Sequence, residues 1–203
     1  MEKGFAVKGG PFLCTRAPIV QKQRFRGMGM QERFAQNYAE AEHLLEEVPR
    51  FTKKNPLEDT EGFYEFIQNC ENGRYREARL GRIIHVAGTN GKGSVCAFLE
   101  SICRHSGYRT AMFTSPHLVT TRERFCIDGS MISEEAFLEA FNWLAVQIGQ
   151  YRNRKPDYCP TYFERLFFMG IYVFARADVK VTILETGLGG RLDTTNVVRC
   201  PSV

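Results

Sequence analysis

"HVAGTNGKGSV", residues 85–95, stands where an apolar run gives way to a helical pattern, and it nearly spells a phosphate-binding loop. The usual pattern is Gly, four residues, Gly-Lys and then Ser or Thr. Counting back from Gly91-Lys92 puts Val86 where the first glycine belongs. Counting forward puts Gly93 where the hydroxyl belongs, with Ser94 one place late. The physics of such a loop survives the altered spacing. Glycines let the backbone curl until several N–H groups face one point, and the helix that follows adds its positive end. Lys92 then supplies a point charge for β- and γ-phosphates, and Ser94 can still turn its hydroxyl to Mg²⁺ if the extra glycine shifts the helix start by one. A glycine turn with a surface lysine is the bland alternative. A dinucleotide fingerprint fits worse. Cys96 stands where a third small residue should allow close helix packing, and the next strand ends "FTSPH" without an acid for a ribose.

Working outward, the centre of the chain alternates between strand and helix. "RIIHVAG" (82–88) reads as a short buried strand, and Val95, Phe98, Leu99 and Ile102 predict one apolar face of the helix after it. "YRTAMFTS" (108–115) is a second strand, and "TRERFCIDGSMIS" (121–133) a hairpin around Asp128-Gly129. Two helices follow, marked by Phe137, Ala140, Phe141, Leu144 and Ile148, then by Phe163, Leu166, Phe167, Gly170, Ile171 and Phe174. "VKVTILETGLGG" (179–190) is a third buried strand running into a glycine turn. Ahead of the loop, a helix is expected from Gln31 on the stripe Phe34, Tyr38, Ala41, Leu45 and Val48. A second carries Phe63, Phe66, Ile67 and Cys70, and "ENGRYREARLGR" (71–82) is a polar connector. Alternating strands and helices predict an α/β fold: a largely parallel sheet with flanking helices. Ligands of such sheets collect at the carboxyl ends of the strands, which singles out Glu185, a carboxylate closing an apolar run. Mg²⁺ takes a few oxygen ligands and keeps several waters, so Glu185 is a candidate ligand beside a nucleotide phosphate.

Charge narrows the partners. The net charge is +4, but residues 1–29 hold six basic residues against Glu2 alone, so the remaining 174 residues sum to −1. The body is not basic, and no nucleic-acid partner is expected. The longest apolar run, "LFFMGIYVFA" (166–175), is too short to span a bilayer. Seven cysteines are scattered without a C-x-x-C, which fits thiols in a reducing cytoplasm. The Arg-rich, acid-poor segment 1–29 lacks a secretory apolar core and any serine. It is expected to be a disordered or spurious leader, with 30–203 as the folded part.

The blocks "HVAGTNGKGSV", "FTSPHLV", "RERFCIDG", "TYFE" and "LETGLGGRLDTTNVV", in this order, resemble those of folylpolyglutamate synthases and bifunctional dihydrofolate synthases, the folate branch of the Mur ligase family. The resemblance runs from about Tyr38 to the last residue, and G-T-N-G-K-G-S is that family's own form of the ATP loop. It implies an N-terminal part of a central ATP-binding domain and an ATP-dependent ligase that joins L-glutamate to a folate or dihydropteroate carboxylate through an acyl phosphate. It also implies ATP held by Thr89, Asn90, Gly91, Lys92, Gly93 and Ser94, with Lys92 catalytic, and Mg²⁺ held by Ser115 and Glu185. His117, Thr161 and Glu164 are implied near the pteridine substrate, in a cytoplasmic enzyme that is monomeric at full length. Asp193 and Asn196 are expected to brace the turn behind Glu185. The family's metal-binding histidine, carbamylated lysine and glutamate-binding domain have no match in these residues, so the sheet is expected to be incomplete and the chain alone inactive. An amide ligase acting on cell-wall precursors and a non-catalytic nucleotide-binding module are the rival readings.

Overall fold

The computed structural model describes residues 32–50 and 56–199. The leader expected over residues 1–29 lies outside them. Five strands form one sheet: β1 (Arg82–Val86), β2 (Thr110–Phe113), β3 (Phe125–Ile127), β4 (Ser130–Met131) and β5 (Val181–Glu185), in the spatial order β1-β5-β2-β3-β4. β5 runs parallel to both β1 and β2, while β3 and β4 continue the sheet antiparallel as a hairpin. The hairpin turns on Asp128 (φ 49°) and Gly129 (φ 73°), the pair of positive φ angles that a tight two-residue turn requires.

All five residues of β5 are buried, as a central strand covered on both faces demands. Its side chains alternate. Val181 and Ile183 face α3 (Lys92–His105) with Cys96, and Leu184 joins the larger core on the other side. That larger core is built by α4 (Glu134–Tyr151) and α5 (Tyr162–Arg176). Twelve of the fifteen residues of α5 are buried, which makes it an interior helix rather than a surface one. Phe167 meets Phe113 of β2 edge-on at 6.1 Å, and Phe168 meets Phe63 of α2 (Pro56–Gln68) at 4.8 Å.

Three expectations need correction. The first helix, α1, spans Tyr38–Glu46 and does not begin at Gln31. Asn37 caps it by accepting from the Glu40 amide, and upstream Asn142 takes both backbone groups of Ala35 (2.9 and 3.0 Å), so Ala35 cannot serve a helical ladder. Glu32, gripped by Arg165 at 2.8 and 2.9 Å and by Arg152 at 2.9 Å, anchors this extended entrance. The connector over 71–82 is not merely polar. It holds two 3₁₀ turns and buries Tyr75 and Leu80 completely.

The third correction concerns α3. Cys96 and Glu100 are buried against the sheet, with Leu99 and Cys103 packed beside them, whereas Val95, Phe98 and Ile102 point outward at 46, 70 and 64% exposure. Glu100 tolerates burial because Thr110 donates to it at 2.8 Å and Arg104 at 3.0 Å. Phe98→Ser is therefore expected to change unfolding free energy by no more than about 0.5 kcal/mol in a urea titration, as for most surface sites. A loss above about 1 kcal/mol would mean that this face is covered in solution.

Candidate functional site

The register pairs Val86 with Glu185 and Phe113 with Leu184, so β1, β5 and β2 end together. The loops that leave them meet at one edge of the sheet. The loop after β1 turns at Gly88 (φ 156°) and Gly91 (φ 76°), and α3 starts at Lys92. Gly91 is the N-cap. It occupies the left-handed region that favours glycine and has no side chain to satisfy the first amides of the helix. Those amides and the helix dipole make a positive end suited to phosphate. Thr89, Asn90, Gly91, Gly93 and Ser94 are exposed here and Lys92 is half-buried, so the whole predicted loop lines one open surface.

Glu185 closes β5 at 3% exposure. Its Oε2 accepts from the Ser115 amide at 2.8 Å, and its two oxygens lie 3.8 and 3.9 Å from where a β-carbon on Gly93 would stand. The loop after β1, the loop after β2 and the end of β5 thus converge on one carboxylate. Ser115 touches Glu185 through its backbone. Among the described residues no group of three or more His, Cys, Asp or Glu side chains is placed to hold a metal ion. One buried carboxylate reached by the Ser115 backbone at the ends of the strands nevertheless fits Mg²⁺, which takes few protein oxygens and keeps its waters. Cys96, one turn into α3, has its thiol pushed up to about 12 by burial and by Glu185, which leaves it inert.

The loop 114–120, which contains a cis Ser115–Pro116 peptide, is held by Glu123. That carboxylate accepts from the amides of Leu118, Val119 and Thr120, each at 2.8 Å, and these donors keep its carboxyl below the usual range. His117 Nδ1 accepts from Arg124 Nε at 3.0 Å, so the neutral ring carries its proton on Nε2. Burial and then the Arg124 charge lower the His117 pKa. Arg124 and Arg50 both lie over the Tyr162 ring, at 5.9 and 5.8 Å.

Thr161 and Glu164 form a capping box at the start of α5. Glu164 Oε2 accepts from the Thr161 amide and hydroxyl, each at 2.7 Å, and its other oxygen accepts from Thr60. The residues of "TYFE" turned toward the strand-end loops are the middle two. Tyr162 meets the arginines, and the Phe163 ring would lie 2.5 Å from a β-carbon on Gly187. Tyr162 lies within the expected segment 161–164 and Arg124 within the block "RERFCIDG", but no spacing joins them to each other or to Arg50. The brace expected behind Glu185 is present. Asp193 accepts from the amides of Gly187 (2.8 Å) and Leu188 (2.9 Å), and Asn196 donates to the Gly190 carbonyl.

Against known proteins, no family model matches the chain. A folylpolyglutamate synthase of Arabidopsis thaliana is 50% identical over 121 residues, which are 60% of this chain and 21% of that protein. A Homo sapiens relative named "Folylpolyglutamate synthase, mitochondrial" is 44% identical over 121 residues, again 60% and 21% of the two chains. Among solved structures, a bifunctional folylpolyglutamate synthase/dihydrofolate synthase with Mn, AMPPNP and L-glutamate bound is 33% identical with a TM-score of 0.67, covering 83% of this chain and 37% of that one. The chain thus spans about a fifth of the curated relatives and just over a third of the solved structure. In sequence and in fold it resembles the folylpolyglutamate synthases and the bifunctional folylpolyglutamate/dihydrofolate synthases, over a stretch that fits an N-terminal portion of them.

Proposed function

We propose that this chain supplies the nucleotide and metal side of a ligase that joins L-glutamate to the carboxylate of a folate or dihydropteroate at the expense of ATP. The observation that carries the reading is the convergence of the Gly88–Ser94 loop, Ser115 and Glu185 at the carboxyl ends of three parallel strands. In this reading Thr89 to Ser94 cradle the ATP phosphates, and Ser115 and Glu185 hold Mg²⁺, which supplies charge that steadies the transferred phosphoryl group. His117, with Arg50 and Arg124 beside Tyr162, faces the acidic substrate, while Thr161 and Glu164 fix the start of α5 beneath it.

A substrate carboxylate oxygen attacks the γ-phosphorus, the bond to ADP breaks, and an acyl phosphate results. The glutamate amine then attacks the acyl carbon, and phosphate leaves with the electron pair of the cleaved C–O bond. Oxide is too poor a leaving group for direct amide formation, so the first step activates the carbonyl. Lys92 offsets the charge that moves onto the β–γ bridge.

The described residues form one nucleotide-binding domain, which we take to be part of a monomer. No helix among the described residues is long and apolar enough to cross a membrane. Among the described residues the five cysteines (70, 96, 103, 126 and 159) are free, which fits a reducing compartment, the cytoplasm in our reading. Fractionation of cells expressing a tagged chain decides between cytosol and mitochondria, the compartment named for the human relative.

The test is a chimera in which this chain replaces the matching stretch of the Arabidopsis relative, supplied with ATP, Mg²⁺, tetrahydrofolate or dihydropteroate, and radiolabelled glutamate. Incorporation of label that requires the folate supports the reading. A folded, ATP-binding chimera that consumes ATP equally without glutamate or folate would sink it in favour of a nucleotide-binding module. Label transferred only to a cell-wall precursor would point to the other amide ligases. The 203-residue chain alone is expected to bind nucleotide weakly and to incorporate no label. In the chimera Glu185→Gln keeps the size of the side chain but removes its charge. The half-saturating Mg²⁺ concentration should rise about tenfold or more, the range seen when metal sites lose a supporting group. An unchanged Mg²⁺ titration would remove Glu185 from the metal site.

A further inference from the structure

We infer that His85 is a positioning residue for the loop that follows Glu185, acting through the Thr195 hydroxyl on Asp193; the consequence for metal binding rests on the function proposed above. Asp193 and Thr195 are buried, at 5 and 0% exposure. Asp193 Oδ1 accepts from the Thr195 hydroxyl at 2.6 Å and from its amide at 3.0 Å. An ionised carboxylate only accepts, so the single hydroxyl proton of Thr195 is committed to Asp193. The 2.7 Å contact between Thr195 Oγ1 and His85 Nε2 must then be a bond donated by the ring. His85 is therefore held as the Nε2–H tautomer, and the protons of the chain His85–Thr195–Asp193 all point one way, an arrangement in which each bond polarises the next.

Both ends of this chain lie beside the phosphate and metal site. His85 sits on β1, next to Val86, whose carbonyl accepts from the Thr186 amide at 3.0 Å, and opposite Leu184 of β5. At the far end, the second carboxylate oxygen of Asp193 holds the amides of Gly187 and Leu188. The exit of the phosphate-loop strand is thus tied to the exit of the strand that carries Glu185. These contacts join residues 110 positions apart, and none of the three side chains is among those expected to touch ATP, metal or substrate. Loss of the hydroxyl would take one donor from Asp193, and loss of the ring donor would weaken the hydroxyl bond that Asp193 accepts; either change would free the 187–188 backbone to shift, and Glu185 with it.

The test uses the 203-residue chain and four variants: His85→Leu and Thr195→Val, which break the relay, and His85→Gln and Thr195→Ser, which keep a donor or a hydroxyl in place. Imidazole ¹⁵N shifts of the wild type should report Nε2–H for His85; the opposite tautomer overturns the relay. Amide exchange at Gly187 and Leu188 should speed at least tenfold in His85→Leu and Thr195→Val relative to amides of α4, and stay within threefold in the two conservative variants. With AMPPNP present and below every unfolding midpoint, the half-saturating Mg²⁺ concentration should rise about tenfold in the breaking variants only. The double variant His85→Leu/Thr195→Val should be no worse than either single one, since the residues act as a unit. Variants that merely melt earlier, with unchanged exchange at 187–188 and unchanged Mg²⁺ titration, would overturn the inference. A wild type that binds no Mg²⁺–AMPPNP, yet shows the Nε2–H tautomer and the exchange effect, would fault the functional reading and leave the relay standing.

Discussion

Replacing Lys92 by alanine is expected to lower ATP-dependent glutamate incorporation by the chimera about 10²- to 10³-fold, the cost of removing one preorganised charge-stabilising group. Lys92 is the first residue of α3, after a cap residue that brings no side chain of its own. The cation and the helix dipole therefore act on the same point, and nothing else in the predicted loop carries a full positive charge. The fold should survive the change. Lys92 is half-buried at the rim of the site, outside the apolar clusters of the core. Equal thermal midpoints for variant and parent, with turnover lost, is the expected pairing. Near-normal turnover would remove Lys92 from the mechanism, and a midpoint several degrees lower would assign it a structural role.

Gly81→Ala should lower stability by about 2–5 kcal/mol from the positive φ and the overpacking together. Gly81 stands immediately before β1 at φ 66°, where an L side chain is strained in any surroundings. A β-carbon there would also lie 2.4 Å from both the carbonyl carbon and the oxygen of Lys180. That obstacle is backbone, not the tip of a flexible side chain. It is also backbone in use, because the Lys180 carbonyl accepts from the Arg82 amide at 2.9 Å. The added methyl would thus push β1 and β5 apart at the first rung of their pairing. Urea unfolding of the variant measures the loss, and a change below about 1 kcal/mol would show that the strand entrance can yield.

The sheet was legible because its central strand is almost purely apolar and ends in an acid, and a run like "VTILE" has few other uses. The strand–glycine turn–helix geometry over residues 85–95 was legible because glycines between an apolar run and a helical pattern rarely serve another purpose. The orientation of α3 was not. Its sequence offers two apolar rows, Val95–Phe98–Ile102 and Cys96–Leu99–Cys103, both at helical spacing; the expected face joined Leu99 of the buried row to the three side chains of the exposed one. The buried row includes Glu100, a residue whose partners Arg104 and Thr110 cannot be identified from a pattern. The start of α1 was misplaced for a related reason. Phe34 and Tyr38 stand four apart as in a helix, but Asn142, over a hundred residues away, holds the backbone between them. At the site, sequence order located each loop but not what joins them: the Ser115 amide on Glu185, the arginines on Tyr162, and His85 on Thr195 all span large gaps in the chain.

The order of strands also bears on how the molecule comes into being. β5, the last of the described strands along the chain, lies between the first two and pairs Val181 with both Arg82 and Thr110. Until it arrives, β1 and β2 have no parallel neighbour to pair with. Pairings this distant along the chain are the slow kind, because closing a long loop precedes any reward from contact. On a ribosome adding about 5–20 residues per second, roughly 4–14 s separate the synthesis of Phe113 from that of Glu185. Through that interval the nascent chain carries two apolar strands without their partner, a ready substrate for a holding chaperone. Nucleotide cannot shorten the wait, since the groups proposed to bind it come together only when β5 slots in. Bound ATP would therefore stabilise the assembled β1-β5-β2 layer and none of its precursors, a ratchet applied after these strands have paired and not a template for them.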